Sequence, residues 1–351
     1  MVKISASIIF ALLSAVLFGL ATPISKILLQ GVTPFQLAGL LYLGAAVGLF
    51  PVTVTSGALS GLRGMSSSNK LRLLGAVFFG GMAGPVALLF GLQLASASSV
   101  SLWLNLELVF TALLGHFFFQ DRLGKLGWLG SLGVVTAAVL LVLGAGISGI
   151  KSGIFVGLAC LFWGFDNHFT ALIDEIPPSA NTFFKGVVAG TVNLVIGLFL
   201  SSYGAGLTTT GLALVLGAFS YGVSIVLYIS SAQGLGATRA QMIFASAPFF
   251  GVTLSVLVLN ETLSLLQIAA AVLLFASVIP LLLDSHTHEH VHKNLTHEHL
   301  HRHAEGHHEH SHASGWFLDL IPHLHEHEHE ELDHEHPHLP DIHHRHEHEE
   351  G

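Results

Sequence analysis

Ten apolar runs dominate the first 283 residues, at roughly 4–29, 34–55, 71–91, 98–119, 126–145, 153–173, 182–201, 207–230, 240–259 and 264–283. Each is near the ~20 residues that an α-helix needs to cross the hydrocarbon core of a bilayer. In lipid the backbone has to satisfy its own polar groups, so a chain patterned this way folds as a helical bundle. Only a few residues join one run to the next, which keeps the bundle compact. The first run follows Lys3 and has the look of a secretory signal. It continues from Ile8 to Leu20 and on to Leu29 without a cleavage site, so an uncleaved first helix is expected. Charged residues are 10% of the whole chain, against ~25% in soluble proteins, which excludes an ordinary soluble enzyme.

Charge and histidine divide the chain in two. Residues 1–283 carry 10 Lys or Arg and 6 Asp or Glu; residues 284–351 carry 3 and 16, together with 23 of the 25 histidines. The first part is a membrane domain, and the second is a polar tail too poor in apolar residues to build a core, expected to be disordered without metal. The single Cys160 excludes an intrachain disulfide framework and a cysteine-based zinc site, and reads as a packing residue. Phosphate-binding glycine loops and basic patches interleaved with aromatics are missing, and nucleic acid is not an expected partner.

Lys and Arg favour the cytoplasmic side of membrane proteins. With ten spans and an inside N-terminus, Lys3, Arg63, Lys70, Arg72, Arg122, Lys125, Lys185 and Arg239 fall on or near the inner side, and only Lys26 and Lys151 fall outside. Both termini are then cytoplasmic, in a multi-pass protein of the cell membrane. Glycines spaced by four, at Gly44/Gly48, Gly80/Gly84, Gly153/Gly157 and Gly186/Gly190, read as close helix contacts.

Self-comparison shows an internal repeat. Phe117 to Leu123, with Asp121 in an acidic turn, mirrors Leu257 to Leu263, with Glu261, at an offset of 140 residues. At the same offset Gln93 pairs with Gln233, Ala97 with Ala237 and Ser98 with Thr238. Nearer the start, Phe18-Gly19 matches Trp163-Gly164, and Pro34 matches Pro178. Five helices per unit is an odd number, so the second unit is inverted relative to the first, an arrangement that builds transport sites at the repeat interface. The duplicated pattern of apolar helix, acidic turn and apolar glycine-containing helix resembles the EamA family of the drug/metabolite transporter superfamily. It is carried best by Leu104-Asn105-Leu106-Glu107 through Gly130 and by Ala247-Pro248 through Ala271. The resemblance covers about 1–283 and implies a transporter, not an enzyme. The expected fold is all-α and integral to the membrane: ten transmembrane helices as two inverted five-helix repeats, 1–150 and 151–283, followed by a disordered tail, 284–351.

Ionisable groups inside a span are costly and point to function. Glu107 lies near the middle of the fourth span, with Trp103 and Thr111 on its face at four-residue spacing. Asn105 and His116 lie on another side of that helix; Asn105 is a further candidate, and His116 reads as an interfacial or packed residue. The sixth span holds Trp163-Gly164-Phe165-Asp166-Asn167-His168, in which Asp166 shares a face with Trp163 and Thr170. His168 points roughly 200° away at ~100° per residue, so both cannot face one narrow cavity without unwinding. Glu107, Asp166, Trp103, Trp163, Asn105, Asn167, Thr111 and Thr170 are the expected substrate-binding residues. Lys26, Lys185 and Arg239 read as helix-end residues, and Asp121 and Glu261 as turn residues.

The tail repeats His-Xaa-His at His286, His288, His290 and His292, then at His297, His299, His301 and His303, and again in a cluster that includes His323, His325, His327 and His329. Imidazoles with acidic neighbours are ligands for zinc, nickel, copper and cobalt, without strong discrimination among them. The zinc-protease pattern His-Glu-Xaa-Xaa-His recurs only because His-Glu-His-Xaa-His contains it, and no folded helix supports it. The expectation is a secondary transporter of a small metabolite, needing no cofactor, with a tail that binds Zn, Ni or Co. Two alternatives stand beside it: a divalent transition-metal transporter with Glu107 and Asp166 as central ligands and His168 as an optional third, and a membrane-anchored metal buffer or sensor. The partners are the bilayer and a small-molecule or metal substrate, with a homodimer left open.

Overall fold

The computed structural model describes residues 2–55, 61–119, 123–144 and 146–283, and four tail segments, 286–292, 295–301, 323–329 and 332–338. The helices run in chain order as α1 Val2–Gly19, α2 Ala21–Leu28, α3 Pro34–Thr55, α4 Gly61–Gly64, α5 Ser67–Ala76, α6 Gly84–Leu94, α7 Ala97–Trp103 and α8 Leu106–Phe118. They continue as α9 Lys125–Gly144, α10 Gly146–Ala171, α11 Pro178–Leu200, α12 Leu207–Leu216, α13 Ser224–Leu235, α14 Ala237–Phe244, α15 Ala247–Leu259 and α16 Leu265–Leu283. Two π-helical stretches, Val77–Ala83 and Gly217–Val223, join α5 to α6 and α12 to α13.

Nine stretches among the described residues are long and apolar enough to cross a membrane; the tenth apolar run forms α16, whose apolar part Leu265–Leu281 is shorter. The outer surface of the bundle is apolar where that of a soluble protein is polar, and several polar side chains are buried within. Val47, Leu132, Phe199 and Leu207 are 66%, 65%, 88% and 92% exposed, whereas Glu107, Asn167, Lys185, Asn193 and Gln241 are buried. Hydrocarbon is a good solvent for the first set and a poor one for the second, which is the arrangement a bilayer selects.

Helix α3 packs along α11, α9 along α16, α6 along α10 and α1 along α13. The α3–α11 contact needs its glycines: a Cβ at Gly186 would sit 2.8 Å from the Tyr42 carbonyl oxygen, and one at Gly190 2.7 Å from the Leu43 nitrogen. Such approach lets backbones pack without a hydrophobic force between helices. Gly157 departs from the expected packing role, for nothing lies within 4 Å of where its Cβ would be.

The irregular backbone repeats along the chain. Turns interrupt two spans at Leu104–Asn105 and Ala245–Ser246, and the two π-helical stretches begin at Val77 and Gly217, near the 140-residue offset of the sequence repeat. One half also clamps the other. Glu261, after α15, accepts from the Ala97 and Ser98 amides at 2.8 and 2.9 Å and so caps the N-terminus of α7, where a helix end is short of acceptors. Its expected turn role thus includes holding a helix of the other half. Asp121 lies outside the described residues.

The four tail segments are extended: β1 His286–His292 pairs antiparallel with β4 Leu332–His338, and β2 Leu295–His301 with β3 His323–His329. His-Xaa-His alternation has the two-residue period of a strand, so extended pairing is open to it without an apolar core.

Candidate substrate site

The site forms where irregular backbone meets buried charge. The π-helical stretch Val77–Ala83 breaks the α-helical hydrogen-bond ladder, and the Gly80 carbonyl accepts from the Tyr42 hydroxyl at 2.5 Å and from Trp163 Nε1 at 3.1 Å. π-bulges of this kind recur at functional sites. Beside Gly80 the Asp166 carboxylate takes the place a Cβ would occupy. Both its oxygens accept from Lys185 Nζ, at 2.6 and 2.7 Å, with the Lys185 side chain fully excluded from solvent. Gly80→Ala is therefore expected to displace this pair, at the ~1–3 kcal/mol typical of overpacking. Thermal unfolding of the purified protein should show a clear loss of stability, while Gly157→Ala, made into open space, serves as the neutral control.

Glu107 occupies the first turn of α8, just beyond the Leu104–Asn105 interruption. Asn167 on α10 ties it to its neighbours: the Nδ2 group donates to Glu107 Oε1 at 2.9 Å, Thr111 Oγ1 at 3.1 Å and Gln241 Oε1 at 3.3 Å. A cavity opens between this cluster and the Asp166–Lys185 pair, with about 470 Å³ of atom-free space including its mouth. Its walls are largely aromatic: Phe18, Tyr42, Trp163, Tyr221, Tyr228 and Phe244. Phe18 holds them together, with ring centroids 5.8 Å from Trp163, 5.6 Å from Tyr221 and 5.3 Å from Phe244. A second, smaller cavity extends past Gly19, Thr22, Ser101, Pro248 and Gly251, and the two share Phe18, Glu107 and Phe244. Among the described residues, the Tyr221 and Tyr228 hydroxyls, buried in the first cavity, have no hydrogen-bond partner.

Of the residues expected from sequence, Glu107, Trp163, Asp166, Asn167 and Thr170 line this cavity, and Thr111 joins it through Asn167. Trp103 and Asn105 do not. The turn at Leu104–Asn105 breaks the four-residue register that would have set Trp103 on the face of Glu107. Trp103 instead donates Nε1 to the Ala138 carbonyl, and Asn105 donates to Leu102. His168 points away from Asp166, as the helical angle requires. Its Nε2 lies 2.9 Å from the Thr111 carbonyl oxygen and its ring stacks on Phe119. His116 Nδ1 accepts from the Leu123 amide, a local packing role.

Lys185, Tyr42, Tyr221, Tyr228, Phe18 and Gln241 are cavity or cluster residues absent from that set. Lys185 corrects a helix-end reading. Helix α11 starts at Pro178, before the apolar run, so Lys185 sits about two turns deep and not at an end. Lys26 is also drawn into the bundle, donating to the Leu92 and Ala95 carbonyls at 2.6 and 2.9 Å, at the C-terminal end of α6. Gly80 and Gly84 do more than pack helices, since they abut Asp166 and the Trp163 indole.

Among the described residues no three His, Cys, Asp or Glu side chains gather as a metal ion would require. His303 and residues 339–351 lie outside the described residues. His168 as a third ligand beside Glu107 and Asp166 is thereby corrected, because its ring points out of the cavity.

Known proteins agree with this architecture. An "Uncharacterized transporter" of Methanothermobacter thermautotrophicus is 26% identical over 286 residues, which span 76% of this chain and 82% of that protein. A solved crystal structure superposes with a TM-score of 0.62 at 17% identity, covering 80% of this chain and 97% of the other, which shows a shared fold. The family model described as the EamA-like transporter family matches twice, over residues 5–143 and 151–283, the two units of the repeat. The chain is thus a multi-pass membrane protein and belongs to the EamA-like transporter family.

Proposed function

We propose that the protein is a secondary transporter that moves a small metabolite across the cytoplasmic membrane, with the Glu107–Asn167 cavity as its binding site. The observation that carries this is a partly open, aromatic-walled cavity with Glu107, Asp166 and Lys185 in its lining, inside a bundle whose outer surface is apolar. A mere anchor has no use for a cavity there, whereas carriers bind at the midplane between repeats, beside interrupted helices. The turns at Leu104–Asn105 and Ala245–Ser246 supply such interruptions next to Glu107 and Gln241. In this reading ten spans form two inverted five-helix units, and the cavity opens to each side in turn. Uptake into proteoliposomes, comparing a panel of metabolites with Zn²⁺, Ni²⁺ and Co²⁺, tests it directly. Flux of no solute at all would end the proposal. A reporter fused after Ser285 is expected to score cytoplasmic and one inserted near Gly149 external, since Lys and Arg placement sets orientation; an external C-terminus would break the inverted arrangement.

The tail has a separate proposed role, capture of divalent transition metal by the clusters from His286 to His303 and from His323 to His329, supported by 23 histidines and 16 carboxylates after residue 283. Truncation after Leu283 should leave metabolite transport intact, because every cavity residue precedes it. The truncated chain should lose metal binding, measured by equilibrium dialysis with Zn²⁺ or Ni²⁺ at pH 7.5. The full chain should release most of its metal by about pH 5.5, since protons compete for imidazoles that titrate near ~6.5 in water. Loss of transport on truncation, with the protein still inserted, would make the tail part of the transport machinery.

A further inference from the structure

We infer that the cavity is built for an organic monocation, an amine or quaternary ammonium on an apolar frame, held by Glu107 and the aromatic walls. This rests on reading the cavity as the transport site and adds the chemical class of its ligand. Charge comes first. The lining contains two carboxylates, Glu107 and Asp166, and one cationic side chain, Lys185. The Lys185 ammonium is closed onto both Asp166 oxygens, and its side chain has no exposed surface with which to meet a ligand. Asp166 and Lys185 thus cancel, and Glu107, met by the neutral Asn167 amide, is left without a countercharge. A carboxylate ligand would place a third anion in a cavity with a single, already committed cation. A zwitterion would gain at Glu107 and lose at its other end. A monocation supplies the one charge the lining lacks.

The walls point the same way. Trp163, Phe18, Tyr221, Tyr228 and Phe244 surround the space, with Tyr228 and Phe244 5.1 Å apart between centroids. Aromatic faces attract cations within about 6 Å, and more strongly where water is excluded. The Tyr221 and Tyr228 hydroxyls, only 1% and 6% exposed as residues, have no hydrogen-bond partner among the described residues. A hydroxyl oxygen accepts as well as donates, so these two are open to a bound N–H group.

A matched series tests the charge requirement with the full chain in detergent and in proteoliposomes. Phenyltrimethylammonium, phenylalanine and phenylacetate share a phenyl ring and differ in charge; 2-phenylethylamine adds a cation that carries N–H groups. Calorimetric affinity and uptake of phenyltrimethylammonium should exceed those of phenylalanine and phenylacetate by at least about tenfold, a difference of ~1.4 kcal/mol. Glu107→Gln should remove that preference. Tyr228→Phe deletes only the hydroxyl, so it should weaken 2-phenylethylamine several-fold more than phenyltrimethylammonium, a split that a packing defect would not produce. If phenylalanine or phenylacetate binds and moves better than either cation, the inference falls while the transporter reading stands. If cations bind through Glu107 but no solute of any class moves, the inference stands and the transporter reading falls. Binding of none of the four, or cation binding unchanged by Glu107→Gln, overturns the inference.

Discussion

Lys185→Met should unfold the bundle at markedly lower temperature, because it leaves Asp166 as a buried carboxylate with no cation beside it. Breaking a buried pair from one side costs roughly 3–5 kcal/mol, and the penalty is mostly that of the stranded charge. Methionine follows the path of the lysine stem, which lies against Gly81, so packing changes little. Removing the second charge as well, in the double variant Lys185→Met with Asp166→Asn, should return most of the loss, since replacing both members of a buried pair is often near neutral. Thermal unfolding in detergent and the folded yield in membranes measure both effects. Equal stability of Lys185→Met and the parent chain would mean that the two groups do not form a committed pair in the membrane. The single change Asp166→Asn is expected to strand Lys185 and lower the folded yield. Asp166 is therefore a poor position from which to read transport alone.

That pair also shows where sequence reading stops. The spans were legible because lipid imposes one rule on every segment, a run of about 20 apolar residues, and the chain obeys it from Ala6 onward. Glu107 and Asp166 were legible because carboxylates inside such runs demand a reason. Their partners were not. Lys185 looks like a helix-end residue until α11 is seen to begin at Pro178, and the pairing with Asp166 depends on how α10 and α11 are brought together. Helical periodicity failed at Trp103 for a related cause: it assumes an unbroken helix, and the chain turns at Leu104–Asn105. No residue there announces a break, for neither proline nor glycine is present. The parallel turn at Ala245–Ser246 precedes Pro248, which does carry a signal, so the repeat itself was the available clue. The aromatic wall was equally hidden, because Tyr42 lies far in sequence from Tyr221 and Tyr228, and only the packing of their spans brings the rings together.

Glu107→Gln is the variant that should silence transport while leaving the fold alone. The substitution keeps shape and keeps an oxygen to accept from Asn167 Nδ2, the 2.9 Å contact that ties α8 to α10. No cation of the protein is stranded by the loss of charge, because Lys185 is already matched by Asp166. Folded yield and unfolding temperature should therefore stay near those of the parent chain, unlike those of Lys185→Met. Flux of whichever solute the proteoliposome panel identifies should fall at least about tenfold, the factor that corresponds to ~1.4 kcal/mol of lost interaction. Such a fall is modest beside the worth of a charge contact in a cavity sheltered from water, where the surroundings screen it weakly. Glu107→Asp keeps the charge but draws it back by one methylene, so it should retain part of the flux and raise the substrate concentration needed for half-maximal rate. A variant that is normally folded and transports at the parental rate would remove Glu107 from the site. The uncompensated carboxylate beside the aromatic wall would then have only its hydrogen-bonding neighbours, Asn167 and Gln241, to explain it.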